Sequence, residues 1–318
     1  MTLTHEGQGR PGAARTWREP PRKGALARFA DSQFRWLLLW PSIAILLLVG
    51  LFPVIYSLIV SFQRINRRVT DTSFQGFLNY ERLLSDDRFW EAVANTAIMT
   101  AVALPLQLLF GLMLAKLFLE KFPGRQVMIA LIVVPSVIAP FVAGAMWRLM
   151  FDNIFGPINA IIRAVAGPEF NLLWLVNDNA FIVYSAILVA EVWQWTPFMF
   201  LILLAAWTNV DRSQLEAAEI DGAGAWRVFR KVIFPAIRPV VFVALLIRAL
   251  DLVRLFDIVY AMTRGGPGNM TETLSIYAYV KGFERFDISM TAAFAFIVII
   301  SLSLVVMVLL RRVGVTQS

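Results

Sequence analysis

The chain has 318 residues, of which 58% are hydrophobic and 16% charged, whereas an ordinary soluble domain carries roughly 25% charged residues. It holds no cysteine, so disulfides and cysteine-ligated metals are excluded by residue count, and its one histidine, His5, sits in a polar N-terminal tail without a partner for metal binding. The net charge of +7 would suggest nucleic acid if it formed a soluble patch, but it is divided among segments separated by long uncharged runs.

Residues 1–35 are rich in Gly, Pro, Ala and Arg, show no apolar period and read as a disordered basic tail. Gly7, Gly9 and Gly12 match G-x-G-x-x-G, but no strand precedes them and no helix follows, so the dinucleotide reading fails on context. The first apolar run, Trp36 to Phe62, is 27 residues without a charged side chain. That exceeds the ~20 residues a spanning helix needs. It is also too long, and comes too late, for a cleavable signal. Further apolar runs follow at 93–119, 127–149, 181–208, 239–263 and 289–310. The expectation is an all-α integral membrane protein: a short tail, then one domain over 36–318 with six transmembrane helices, multi-pass in membrane lipid. Six crossings put both termini on one side. With the termini cytoplasmic, the inside segments hold 16 Lys/Arg and the outside segments 9, so the positive-inside bias predicts that orientation. Prolines 41, 53, 105, 135, 140 and 197 fall inside the runs and predict bent helices around an irregular interior.

The polar stretch at 209–238 is the most informative. Ser213 followed by Glu216 fits a capping box and predicts a short helix starting there. Gly222 stands where a left-handed residue would end it, and Asp221 is placed to cap a second helix running to Pro235. On that second helix Trp226, Phe229 and Ile233 share one face. The result is a helix–Gly turn–helix element on the cytoplasmic surface, well built for contact with another protein.

Glu216-Ala217-Ala218, then Asp221-Gly222-Ala223, then Phe229 and Pro235, resemble in order the EAA loop of binding-protein-dependent ABC importers. Asn79-Tyr80, Phe89-Trp90, Asn95-Thr96, Trp193-Gln194-Trp195-Thr196-Pro197, Phe256-Asp257, Thr263-Arg264-Gly265-Gly266-Pro267-Gly268 and Thr271-Glu272-Thr273 resemble other stretches of the sugar-type permeases. The likeness covers roughly 36–312. One departure is Val210-Asp211, where the family often has a proline before the EAA segment. The resemblance implies the type I ABC importer permease fold in a bacterial inner membrane. It implies that Glu216, Ala217, Ala218, Asp221 and Gly222 contact an ATPase subunit. It further implies a second homologous permease subunit, an extracytoplasmic sugar-binding protein, and a di- or oligosaccharide or polyol as cargo. This chain has no G-x-x-x-x-G-K-[ST]. It is therefore expected to be no enzyme and to carry no cofactor, with ATP and Mg bound by the partner ATPase.

Charges at membrane depth are costly and mark functional candidates. The fifth run holds Arg248, Asp251, Arg254 and Asp257 at i, i+3 spacing, and the fourth holds Glu191 beside Trp193 and Trp195. One reading makes Glu191, Trp193, Trp195, Asp251, Asp257 and Tyr260 a substrate pathway, with carboxylates for hydroxyls and aromatic faces for sugar C–H. The other makes the charges structural pairs, with Arg248 and Arg254 as partners. Arg148, near the end of the third run, is expected to snorkel. The alternative function is a secondary transporter using this charge ladder as an ion relay. It predicts inverted internal repeats, which are not visible, and leaves the EAA loop unexplained. A membrane enzyme built on Asp86-Asp87 and a non-transporting scaffold are weaker alternatives still.

Overall fold

The computed structural model describes residues 36 and 39–313; the basic tail, with His5 and its glycine motif, lies outside them. The chain divides into two compact units, Met1–Tyr56 and Ser57–Ser318. The described part of the first is most of helix α1 (Leu39–Ser61), with a π-type turn at Leu47–Leu51 just before Pro53. A wider turn accommodates a ring that cannot donate an N–H to the preceding turn. Its Ile45, Leu46, Leu48 and Val49 are exposed, as suits a helix solvated by lipid.

In the second unit a small antiparallel hairpin, β1 (Arg64–Ile65) and β2 (Thr70–Asp71), leads to α2 (Leu78–Leu84) and α3 (Asp87–Leu117). Then come α4 (Arg125–Val137), α5 (Pro140–Met150), α6 (Pro157–Ala166) and α7 (Ala180–Thr208). The short α8 (Arg212–Ile220) precedes α9 (Ala225–Val253), α10 (Asp257–Met262) and α11 (Leu274–Tyr279). A π-type turn extends α11 through Glu284, and α12 (Ile288–Val313) closes the described chain. Among the described residues five helices (α1, α3, α7, α9 and α12) are long and apolar enough to cross a membrane, and α4 with α5 makes a sixth when the bent pair counts as one span.

The expected third span is therefore present in two pieces, bent by 95°. Ile138 and Ala139 take extended backbone (ψ 134 and 132) because Pro140 pushes the residue before it out of helical space. Two other boundaries correct the sequence reading. The helix expected to stop at Pro235 instead continues as α9 through Pro235 and Pro239, with a π-type turn at Phe229–Ile233 making room beneath the first ring. The expected fifth span ends at Val253, so Asp257 opens a separate short helix.

α3 and α7 form the spine, α9 packs on both, α4 lies on α7, and α5 lies on α10. Glycine permits two of these contacts. A Cβ on Gly111 would stand 2.8 Å from Met199 Cβ, and one on Gly144 2.8 Å from Ala261 Cβ. Apolar packing collects at the two ends. Phe118, Phe200, Trp207, Ile233 and Ile237 cluster where α3 and α7 end and α9 begins. Phe151, Val183, Met262 and Ile276, and beside them Leu83, Phe89, Tyr277, Met290 and Phe294, cluster at the opposite end.

Candidate functional site

α8 sits at the first of these ends. Asp211, in extended backbone, caps it: its carboxylate Oδ1 accepts from Ser213 N–H at 2.9 Å. The expected Ser213 capping box is thus displaced by two residues, since Ser213 is already helical. Past the C-cap Asp221, Gly222 takes φ +69. Gly222 N–H donates to Glu219 O and Ala223 N–H to Ala218 O, both at 3.0 Å, closing a Schellman motif. The expected cap of the second helix by Asp221 is replaced by Gly224, which makes no side-chain cap. Leu215 and Phe229 pack on the apolar cluster below, and the Phe229 ring lies 5.5 Å from Trp207 and 5.7 Å from Trp226. Glu216, Ala217, Asp221 and Gly222 are exposed, Ala218 is half-buried, and Ile220 and Trp226 are 87% and 72% exposed. The five predicted contact residues thus lie on one short helix and its turn, propped on a rigid apolar base. Ile220, which the sequence reading passed over, shares that surface.

Between the two ends the charged residues run from a buried pair, Glu191 and Arg248, out to the surface. Arg248 Nη2 donates to Glu191 Oε1 at 2.6 Å, and its Nε donates to Gln107 Oε1 at 3.1 Å. The guanidinium lies over the Trp195 ring at 4.4 Å. Arg248 also reaches Asp251 at 3.5 Å, and Asp251 accepts from Arg254 at 3.0 Å. Side-chain exposure rises along this chain: 2% for Glu191 and Arg248, 37% for Asp251 and 73% for Arg254. Among the described residues Glu191 Oε2 has no partner, and nor do the buried Gln194 Oε1 and Thr196 Oγ1. Trp193 and Trp195 are brought to different places, because two residues turn a helix by roughly 200°. Trp193 meets Trp147 edge-on at 5.6 Å, away from Arg248. Asp257 is exposed on α10, off the ladder, and Tyr260 stacks on Phe256 at 4.9 Å. Gln107 was missed because it carries no charge; its signal was a lone amide in the apolar run Leu106–Phe110.

At the opposite end the segment 263–287 is interlocked with α3. Arg88 donates to both oxygens of Glu272, at 2.6 and 3.0 Å, and the Glu272 side chain is 2% exposed. Asn95 Nδ2 donates to Asn269 O and Glu272 O, and the Tyr184 hydroxyl donates to Asn95 Oδ1 at 2.6 Å. Leu274 N–H donates to Thr96 Oγ1, and Thr273 Oγ1 to Leu255 O. Asp86 accepts from Lys281 and Tyr277. Burial works against its charged form, but those two donors hold it below the usual carboxylate range. Arg148 is exposed, lining a cleft of about 430 Å³ with Asp152, Trp174 and Arg264. Among the described residues no group of three His, Cys, Asp or Glu could hold a metal.

Residues 107–314 match the family described as binding-protein-dependent transport system inner membrane component. A probable ABC transporter permease protein of Sinorhizobium fredii is 36% identical over 82% of this chain and 83% of its own. The trehalose/maltose transport system permease protein of Thermococcus litoralis is 31% identical over 79% and 84%. The sulfoquinovosyl glycerol transport system permease protein of Agrobacterium fabrum is 32% identical over 87% and 89%. The solved structure of a bacterial ABC transporter that imports the acidic polysaccharide alginate superposes with a TM-score of 0.75 over 92% of this chain and 100% of the matched one. At 18% identity that likeness carries the fold alone. The chain belongs to the binding-protein-dependent transport system inner membrane components, and its fold is that of an ABC importer permease.

Proposed function

We propose that this inner membrane transport component is the carbohydrate-conducting permease subunit of an ATP-driven importer, coupled through α8 to a separate ATPase. The observation that carries this reading is α8 itself: capped at both ends, exposed on its outer side, bearing the EAA residues and seated on an apolar base. Glu216, Ala217, Ala218, Asp221 and Gly222 form the ATPase contact. The alanines permit close approach and the glycine permits the turn. The ATPase binds ATP and Mg, and this chain contributes the surface it pushes on. Both termini and α8 face the cytoplasm, as the basic residues predict.

A second, similar permease subunit completes the pathway, and a binding protein loaded with a di- or oligosaccharide or polyol docks at the end opposite α8. Several relatives are permeases named for trehalose, maltose, lactose or a sulfosugar glycerol, which supports a sugar cargo. Trp195, Asp251 and Tyr260 are half-buried and Asp257 is exposed on α10, and these four line the pathway. Glu191 holds Arg248 in place, and Trp193 shapes the wall against Trp147. ATP-driven approach of the ATPases moves the α8 helices together and shifts the bundle between inward- and outward-open populations.

The test is ATPase activity of the reconstituted complex with its partner subunits, across a panel of carbohydrates, for the wild type and for Glu216→Ala and Gly222→Val. Hydrolysis stimulated by one loaded binding protein, and lost in the variants although assembly is intact, is the expected result. Variants that stay fully coupled would sink the α8 reading and bring back ion-driven transport on the Arg248–Arg254 ladder.

A further inference from the structure

On the face opposite α8 the surface holds a cleft of about 840 Å³ between the β1–β2 hairpin, α2 and the junction of α11 with α12. Its walls are basic. Arg82 pairs with Asp287 and Lys281 with Asp86, which among the described residues leaves Arg67, Arg68 and Arg285 facing a single carboxylate, Glu284. The turn carrying the first two arginines is fixed: Asn66 Oδ1 accepts from Arg68 N–H at 2.9 Å and from Val69 N–H at 3.0 Å.

The height of the cleft follows from one contact. Ile65 N–H donates to Ser289 Oγ at 2.9 Å, so the hairpin is pinned to the first turn of α12, and Met290 of that same turn lines the cleft. α12 is an apolar spanning helix from Ile288 onward, and a site at its first turn lies at headgroup level. The neighbouring surface is greasy rather than wet: Phe283 is 70% exposed, Phe286 49% and Ile288 48%. Further along the same helix Ile299, Ile300 and Leu304 are exposed as well. Guanidiniums at headgroup level beside exposed aromatic and aliphatic side chains are the chemistry that holds a phosphate with acyl chains attached.

We propose that this cleft binds the phosphate of an anionic phospholipid, with Arg67, Arg68 and Arg285 on the headgroup and the acyl chains lying along α12. A soluble anion would use the guanidiniums but leave the apolar rim idle.

The experiment is native mass spectrometry of the purified complex, exchanged into phosphatidylglycerol or phosphatidylcholine, with Arg67→Gln/Arg68→Gln/Arg285→Gln compared against the corresponding triple Lys variant. The wild type should retain phosphatidylglycerol preferentially, and the preference should fall about fivefold per arginine neutralised. The Lys variant should keep most of it, which separates loss of charge from misfolding. A preference unchanged in the Gln variant overturns the proposal, and so does displacement of the lipid by millimolar inorganic phosphate. Weaker docking of the binding protein to the Gln variant in purely phosphatidylcholine nanodiscs, with lipid retention unaltered, would also overturn it and assign the arginines to a protein contact.

Discussion

The two ends of the helical bundle solve opposite problems. At one end α8 is nine residues long, exposed along most of its length, and held by a cap, a Schellman turn and the half-buried Leu215. At the other, the 263–287 segment is bonded to α3 and α7 through Arg88, Asn95, Thr96, Tyr184 and Asp86, with Thr271, Glu272 and Thr273 fully buried. A surface with the proposed role of an ATPase contact benefits from being local and self-contained. A surface that must keep its shape while the helices beneath it shift benefits from being cross-linked to them. If α8 carries the proposed coupling, stability and coupling reside in different parts of this chain, and substitutions should separate them.

The largest expected effect lies in the interlocked end. Arg88→Ala would leave the Glu272 carboxylate, 2% exposed, without its bidentate partner. Breaking a buried pair this way costs about 3–5 kcal/mol, with the lower end expected here because water reaches the 21%-exposed Arg88. The thermal midpoint of the purified complex should drop by several degrees. The double variant Arg88→Met/Glu272→Leu should recover part of the loss, because no charge is then stranded. A midpoint unmoved by Arg88→Ala would erase the contrast between the ends.

Gly222→Ala should do the reverse. Gly222 sits at φ +69, where a side chain costs roughly 1–2 kcal/mol, and a Cβ there would meet none of the described residues within 4 Å. The strain therefore falls on the turn alone and frays an exposed helix. The thermal midpoint should barely move, while ATP hydrolysis stimulated by the binding protein falls. Equal losses in both readouts would mean that α8 is a structural strut.

What was legible in the sequence is what short-range chemistry dictates. The apolar runs, the Gly222 turn and the EAA residues each depend on neighbours within a turn or two. The 95° break in the third span was half legible, since Pro135 and Pro140 were seen but not that Pro140 would start a new helix. The passage of α9 through Pro235 was illegible, because a proline reads as a stop unless a wider turn before it takes up the clash. Arg88 and Glu272 stand 184 residues apart, and neither lies in a motif that names the other. The ladder at 248–257 looked like one face of one helix only because the break at Arg254–Phe256 carries no glycine or proline to announce it.

The finest comparison is between two candidate caps two residues apart. Asp211 is extended (φ −61, ψ 121) and its carboxylate accepts from Ser213 N–H, whereas Ser213 is exposed and already within α8. Asp211→Ala should therefore weaken the first turn by about 1 kcal/mol, and Ser213→Ala should stay within about 0.5 kcal/mol of the wild type. Hydrogen exchange at the amides of residues 213–216 would resolve the difference, the aspartate variant exchanging several times faster. The point is mechanical as well as local. A helix that starts at Arg212 has three helical residues in place before Leu215, so that side chain reaches the apolar cluster while Glu216 and Ala217 face outward. If Ser213→Ala proved the more damaging change, α8 would begin later, Leu215 would lie in an unsupported first turn, and the helix would lack the anchor that the proposed coupling through Glu216 requires.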